Sequence, residues 1–181
     1  MTLQLLTSAT VRLRPMEASD LPLIYQLEND TRLWNTAANT QPLSRGTIEK
    51  FINASTGDIY KDGQLRMIIE KRESECKCEG KGVGAIDLID FSPRHLRAEI
   101  GIGLLPEYQS QRLGTEALRL MEQYASQALF VHQLYAYVDP TNEISLRLFT
   151  SAGYQRVGTL QDWQKTPEAY QHILLFQKIF H

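Results

Sequence analysis

The sequence predicts a single α/β domain, residues 1–181, built on a mixed, mostly antiparallel central sheet flanked by helices. Three observations carry this expectation. Three strand signals follow one another with short connections between Leu65 and Leu105, the pattern of an antiparallel meander. Segments with apolar residues three and four apart precede and follow that meander instead of alternating regularly with it, which argues against a doubly wound sheet. At 181 residues with 43% hydrophobic content, the chain is long enough to bury one core well and short for two.

Each element has its own signal. Val11-Arg12-Leu13-Arg14 alternates apolar and cationic residues, as a half-buried strand does. Ser19 reads as the cap of a first helix, with Asp20 in its first turn, Pro22 near its start, Leu23, Ile24 and Leu27 as its stripe, and an end about Asn29. The segment TRLWNTAANTQPL is irregular, and Ser44 opens a second helix whose apolar positions are Ile48, Phe51 and Ile52. Residues 65–70 and 83–88 read as strands joined by the charged segment RESECKCEGKG; the turn FSPRHLR leads to a central strand over 99–105. A loop and a long amphipathic helix reaching 127 follow. Residues 133–139 alternate again, Asp139-Pro140-Thr141 breaks the strand, and Asn142 caps a helix with the face Ile144, Leu148 and Phe149. Gly153 stops that helix, 154–158 continue as strand, and the tail over 172–180 alternates weakly after a loop holding Pro167.

Composition excludes several classes. A formal net charge of −2 and no Lys/Arg-rich run give no basic field for nucleic acid. No stretch approaches the ~20 apolar residues that span a bilayer, and the N-terminus lacks a cationic start with an uninterrupted apolar run, so no membrane partner and a cytoplasmic location are expected. Cys76 and Cys78, one residue apart, make a poor disulfide framework. No histidine or carboxylate cluster completes a metal site around them, and His95, His132 and His172 are scattered, so no metal is expected.

The chemistry concentrates where the central strand passes into the long helix, at Gln109-Ser110-Gln111-Arg112-Leu113-Gly114. The first N–H groups of a helix have no intrahelical partner and carry partial positive charge, so a helix entered this way attracts an anion, most obviously a phosphate. Neither G-x-x-x-x-G-K-[ST] nor G-x-G-x-x-G stands there, which removes the support for a P-loop or dinucleotide fold. What remains is Q-x-x-x-x-G before the helix.

This loop resembles the pyrophosphate-binding loop of the GNAT superfamily of acetyl-CoA-dependent N-acetyltransferases, [QR]-x-x-G-x-[GA], with Gln109 and Gly114 matching and Arg112 in place of a glycine. The run N-x-x-S-x-x-x-F-x-x-x-G-Y from Asn142 to Tyr154 is similar to the family's second CoA motif. The opening V-R-L-R-P-M-E-A-S-D-L and the strand start R-A-E-I-G most resemble the branch of ribosomal-protein N-terminal acetyltransferases and bacterial spermidine acetyltransferases. The resemblance spans essentially the whole chain. It implies a GNAT-like acyl-CoA N-acyltransferase fold, acetyl-CoA as co-substrate, and direct transfer in a ternary complex to a primary amine, either a small amine or polyamine or a protein N-terminus. It also makes a homodimer an expectation to test. The alternative is a catalytically weak acyl-CoA-binding module, suggested by Arg112 and Phe149.

The resemblance assigns roles residue by residue. Backbone N–H groups around Ile102, Gly103 and Leu104 lie beside the acetyl and pantetheine portions, and Gly101 and Gly103 leave that face uncrowded. Gln109, Ser110, Gln111, Arg112, Leu113 and Gly114, with Thr115, hold the pyrophosphate, and Asn142 adds a CoA contact to its capping role. Arg112 either changes the loop or points outward as a cation beside the phosphates; the second reading is adopted. Glu99 shares a strand face with Gly101 and Gly103 and is the candidate base, against the simpler reading of an ion pair with Arg97 or Arg94. In the family the loop joining the first two helices lines the acceptor site, so Trp34 and Asn35 are candidate amine contacts, against the simpler reading that Trp34 pins the loop to the core. Asp87 is a candidate for holding a cationic acceptor, with Asp90 behind it. Many family members have tyrosine at Phe149 to protonate the departing thiolate; Tyr154, Tyr137 or solvent are the substitutes.

Overall fold

The computed structural model describes residues 5–31, 41–72, 80–166 and 168–181. Trp34, Asn35, Cys76, Cys78 and Pro167, with the expectations attached to them, lie outside these residues. Alternation in the first strand, β1 (Val11–Pro15), buries Val11 and Leu13 and turns Arg12 and Arg14 to the other face. A 3-10 turn (Ala18–Asp20) and α1 (Leu21–Glu28) follow, then α2 (Arg45–Ala54), the short α3 (Ile59–Asp62), β2 (Leu65–Lys71), β3 (Lys81–Ser92), β4 (Arg97–Leu104), α4 (Leu113–Gln127), β5 (Gln133–Val138), α5 (Glu143–Ser151), β6 (Gln155–Lys165) and β7 (Tyr170–Ile179).

The seven strands form one sheet in the order β1-β2-β3-β4-β5-β7-β6. Every neighbouring pair is antiparallel except β4 with β5, whose connection runs through α4, the crossover helix that parallel strands require. The fold is the mixed, mostly antiparallel α/β sheet that the sequence implied. Pleating sorts β4: Ala98 and Ile100 are buried on one face, and Glu99, Gly101 and Gly103 lie on the other. On the first face the stripe Leu113, Ala117, Leu118, Leu120, Met121 and Ala125 of α4 packs over Ile86, Leu88, Ile100, Leu134 and Ala136. On the second, α1 and α2 contribute Ile24, Ile48 and Ile52 against Ile68 of β2. Side chains as fully buried as Leu118, Ile24 and Ile48 contribute about 1.5–3 kcal/mol each over exposure.

The caps behave as their side chains allow. Ser44 accepts from Thr47 N at 3.1 Å to start α2, Asn142 accepts from Ser145 N at 3.0 Å to start α5, and Gly153, at φ 87°, follows α5 in the left-handed conformation. The first helix departs from expectation. Ser19 lies inside the 3-10 turn and does not cap; Asp20 stands at the N-cap of α1 without a side-chain cap bond, its carboxylate accepting Glu17 N at 2.9 Å at the start of the 3-10 turn while held by Arg14 at 2.7 and 2.8 Å. A carboxylate held this way closes the turn before the helix and is not free to reach the N–H groups after it. The short α3 carries no periodic run long enough to have announced itself, and β3, β6 and β7 extend beyond the residues their alternation marks, because neighbouring strands satisfy their backbone groups.

Candidate active site

The parallel ladder between β4 and β5 holds only Arg97↔Gln133, Ala98↔Leu134 and Glu99↔Tyr135. Beyond Glu99, β4 continues to Leu104 paired with β3 alone. Alternate N–H and C=O groups of residues 100–104 therefore face a cleft with no strand to receive them, a row of donors and acceptors for a bound chain of peptide-like amides. At the end of the cleft Gln109 donates its side-chain amide to Leu104 O at 3.1 Å, fixing the loop to the strand. Leu105 is buried where strand becomes loop, beside Tyr108.

The entry to α4, like that to α1, has no side-chain cap. Ser44, Asp58 and Asn142 cap α2, α3 and α5 with side-chain oxygens, whereas no side chain caps α4. Its first backbone bond runs from Glu116 N to Arg112 O at 3.1 Å, which leaves the N–H groups of Leu113, Gly114 and Thr115 without an intrahelical acceptor. Arg112, in the N-cap position, takes φ 63° and ψ 2°, and Ser110 takes φ 60°. Arginine thus occupies the left-handed conformation that glycine adopts without strain, and its side chain is exposed. Gln111 ties the loop down, donating to Glu107 O at 2.7 Å and accepting from Lys71 Nζ at 3.1 Å. A Cβ on Gly114 would meet Leu104 Cδ1 at 3.4 Å, so glycine lets α4 sit close against β4.

At the apex of the cleft Glu99 is half-buried and, among the described residues, forms no ion pair with Arg94 or Arg97. Burial pushes its carboxyl above the ordinary glutamate range, and the charge of Asp90 pushes the same way. Asp90 accepts from Tyr135 Oη at 2.9 Å. Burial and that hydrogen bond raise the Tyr135 phenol, and burial with the charges of Glu99 and Asp90 raises Tyr137. Sequence reasoning missed Tyr135; the alternation in QLYAYVD, which puts Tyr135 and Tyr137 on one face, is the signal for it.

Asp87 lies opposite Gly101 on the same face. Both of its oxygens are engaged by Arg66, from Nε at 2.7 Å and from an Nη at 3.0 Å, while Arg66 also reaches Glu28 at 2.5 Å. Burial raises the Asp87 carboxyl against the opposing pull of Arg66. These three line a cavity of about 310 Å³ between α1, α2 and strands β2 and β3, whose remaining wall includes Ile48, Phe51 and Ile89. Two expected proton donors are sorted by position. Tyr154 is buried against Phe149, with ring centroids 5.0 Å apart, and its phenol is pushed far up by burial and by Glu122. Tyr137 is 41% exposed and lies within the field of Glu99. Among the described residues no group of three or more His, Cys, Asp or Glu could hold a metal ion, and no helix is long and apolar enough to cross a membrane.

Residues 10–155 match the family model described as an acetyltransferase (GNAT) domain. The spermidine N(1)-acetyltransferase of Escherichia coli K12 is 29% identical over 157 residues, covering 83% of this chain and 76% of that protein. Among solved structures, the spermidine N-acetyltransferase of Vibrio cholerae in complex with CoA and spermine superposes with a TM-score of 0.83 at 21% identity, covering 95% of this chain and 96% of that one. The ribosomal L7/L12 α-N-protein acetyltransferase RimL in complex with coenzyme A gives 0.80 at 16% identity, with 96% of each chain covered. With the family model matching most of its length, and a cleft and an uncapped helix where the loop motif lies, the chain belongs to the GNAT acetyltransferase family.

Proposed function

We propose that this acetyltransferase moves the acetyl group of acetyl-CoA directly to the primary amine of a small amine or polyamine, or of a protein N-terminus, in a ternary complex in the cytoplasm. The observation that carries the reading is the parting of β4 from β5 immediately after the Glu99–Tyr135 pair, beside a helix start with no cap of its own. Pantetheine amides would pair with the open backbone edge of residues 102–104. The pyrophosphate would take the N–H groups of Leu113, Gly114 and Thr115 at the positive end of α4, with Gln109, Ser110 and Gln111 shaping the loop and the exposed Arg112 adding charge. Asn142, engaged in capping α5, would present the second CoA motif. The thioester would then lie near Glu99.

In that arrangement Glu99 accepts a proton from the incoming ammonium, directly or through water, and its raised affinity for protons brings it nearer to the acid it must deprotonate. The neutral amine attacks the thioester carbonyl, a backbone N–H of β4 stabilises the oxyanion, the attacking nitrogen sheds its extra proton to solvent, and collapse breaks the C–S bond to release the CoA thiolate. Tyr137, exposed and within the field of Glu99, is assigned in this reading to protonate that thiolate; Phe149 has no proton to give and Tyr154 is sealed in the core. Asp87, Trp34 and Asn35 belong to the acceptor side, Asp87 through the cavity it lines with Glu28. The half-buried base at the cleft apex favours a working enzyme over a binding module.

Acetyl-CoA titration calorimetry with ATP as control, followed by an amine and peptide panel read by mass spectrometry, tests the reading. Micromolar binding of acetyl-CoA alone and a mass gain of one acetyl on an amine are expected. Binding of ATP in its place, or no acetylated product from any amine or peptide, overturns it.

A further inference from the structure

Two β-bulges flank the tyrosines of β5, and each is built on an aspartate in the left-handed conformation. In β3 the register shifts between Ile89 and Ser92, with Asp90 at φ 49°; in β6 it shifts between Leu160 and Gln164, with Asp162 at φ 47°. Bulges re-aim side chains and recur beside active sites. The first directs Asp90 to Tyr135 Oη at 2.9 Å. The second is anchored by His172, whose Nδ1 accepts from Asp162 N at 2.9 Å, and it swings Trp163 across β7 onto Tyr137. Those two rings stack with centroids 6.3 Å apart and planes 25° apart, and Tyr137 meets Tyr135 edge-on at 5.7 Å. A 61% exposed tryptophan held in this way has an aromatic face open to solvent, a few ångströms from the tyrosine that sits in the field of Glu99 and Asp90. Core packing does not explain it, since Trp163 belongs to none of the three core clusters.

We propose that Trp163, stacked on Tyr137, is the specificity-determining wall of the acceptor site and takes the second ammonium group of a di- or polyamine, leaving the first for Glu99. This deepens the transferase reading and rests on it. An exposed aromatic face stacked on a tyrosine that lies in the field of Glu99 and Asp90 attracts an alkylammonium through the ring quadrupole, helped by that field, whereas the uncharged continuation of a peptide chain gains neither. The ring also covers the methylene spacer, a contact that a monoamine of the same length shares, so the second ammonium alone separates the two.

The test compares the full chain with Trp163→Ala and Trp163→Phe on a monoamine, a diamine of equal carbon length, spermidine and a peptide with a free N-terminus. In Trp163→Ala, KM for the diamine and spermidine should rise roughly tenfold, while kcat/KM for the monoamine, which loses only the methylene contact, should fall by about two- to threefold; Trp163→Phe should recover most of the loss. An equal fall for every acceptor, or an unchanged diamine-to-monoamine ratio, overturns the proposal and leaves Trp163 with only a structural part. Tryptophan fluorescence gives a second reading that needs no turnover. Spermidine should change the emission of Trp34→Phe, in which Trp163 is the one tryptophan left, with calorimetry detecting spermidine binding by the same protein. Fluorescence and calorimetry positive without any acetylated product would sink the transferase reading and keep the subsite; spermidine that binds without touching the Trp163 signal sinks the subsite alone.

Discussion

Glu99 of β4 and Tyr135 of β5 are the last residues joined by the parallel ladder, and beyond them the two strands part. The candidate base therefore stands at the closed end of a cleft whose one wall is an open backbone edge. Its neighbour Tyr135 is held by Asp90, so a second carboxylate is fixed close enough to disfavour charge on the first.

Glu99→Gln tests that environment in two ways. As base, Glu99 must be ionised, so kcat/KM should fall by about a hundredfold and lose its acid limb, the pH dependence becoming flat where the parent's rises. Stability should move oppositely. The folded chain holds the Glu99 proton to higher pH than the unfolded chain, so between the two values it binds more protons and stability falls as pH rises. Glu99→Gln removes that loss: its Tm should exceed the parent's at pH ~8, and the difference should shrink as pH falls toward ~4, the ordinary glutamate value. Intact kcat/KM with an unchanged pH profile would eliminate the base role.

Arg112→Gly separates backbone strain from charge. A left-handed non-glycine residue costs about 1 kcal/mol, so the variant should melt higher by a few degrees. Loss of an exposed guanidinium beside the phosphates should raise KM for acetyl-CoA several-fold and weaken its dependence on salt, seen by kinetics at two ionic strengths. A variant that gains stability with no change in KM would show that the side chain does not touch the donor.

Glycine has opposite meanings on adjacent strands. A Cβ on Gly84 would lie 2.3 Å from Gly103 O, so Gly84→Ala should destabilise by about 2 kcal/mol or more, measured by urea unfolding. A Cβ on Gly103 would meet nothing nearer than Leu27 Cδ2 at 4.0 Å. Gly103→Ala should fold with parent-like stability and show its effect in kinetics, as a raised KM for donor or acceptor, because the face it crowds borders the cleft.

Lys178 bridges Glu122 of α4 and Ala152 O at the end of α5, each at 2.7 Å. Lys178→Met leaves a buried carboxylate unpaired and should cost about 3 kcal/mol, whereas Lys178→Met with Glu122→Leu should recover most of it. Equal melting of the single and double variants would show that the pair is not what holds the helices together.

The hydrophobic periods, the caps at Ser44 and Asn142 and the stop at Gly153 are local matters, and the sequence by itself determined them, along with a mixed sheet and an anion-seeking helix start after Gln109. Period two was enough to put Glu99 with Gly101 and Gly103 on one face, since pleating depends only on chain direction. Ser19 does not cap because the chain enters the helix through a 3-10 turn, closed by Asp20 on Glu17 N and held by Arg14 of β1. Only the tertiary structure decided the rest. The length of the β4–β5 ladder, which makes the cleft, depends on how two strands separated by a helix diverge. The partnership of Asp90 with Tyr135, and the stacking of Trp163 on Tyr137, come from bulges that appear only when strands far apart in the chain are set in register. Arg112 marks the boundary between the two: the sequence named the residue that breaks the loop motif, and the fold holds it in the glycine conformation nonetheless, because anchors at Gln109 and Gln111 fix the loop from outside.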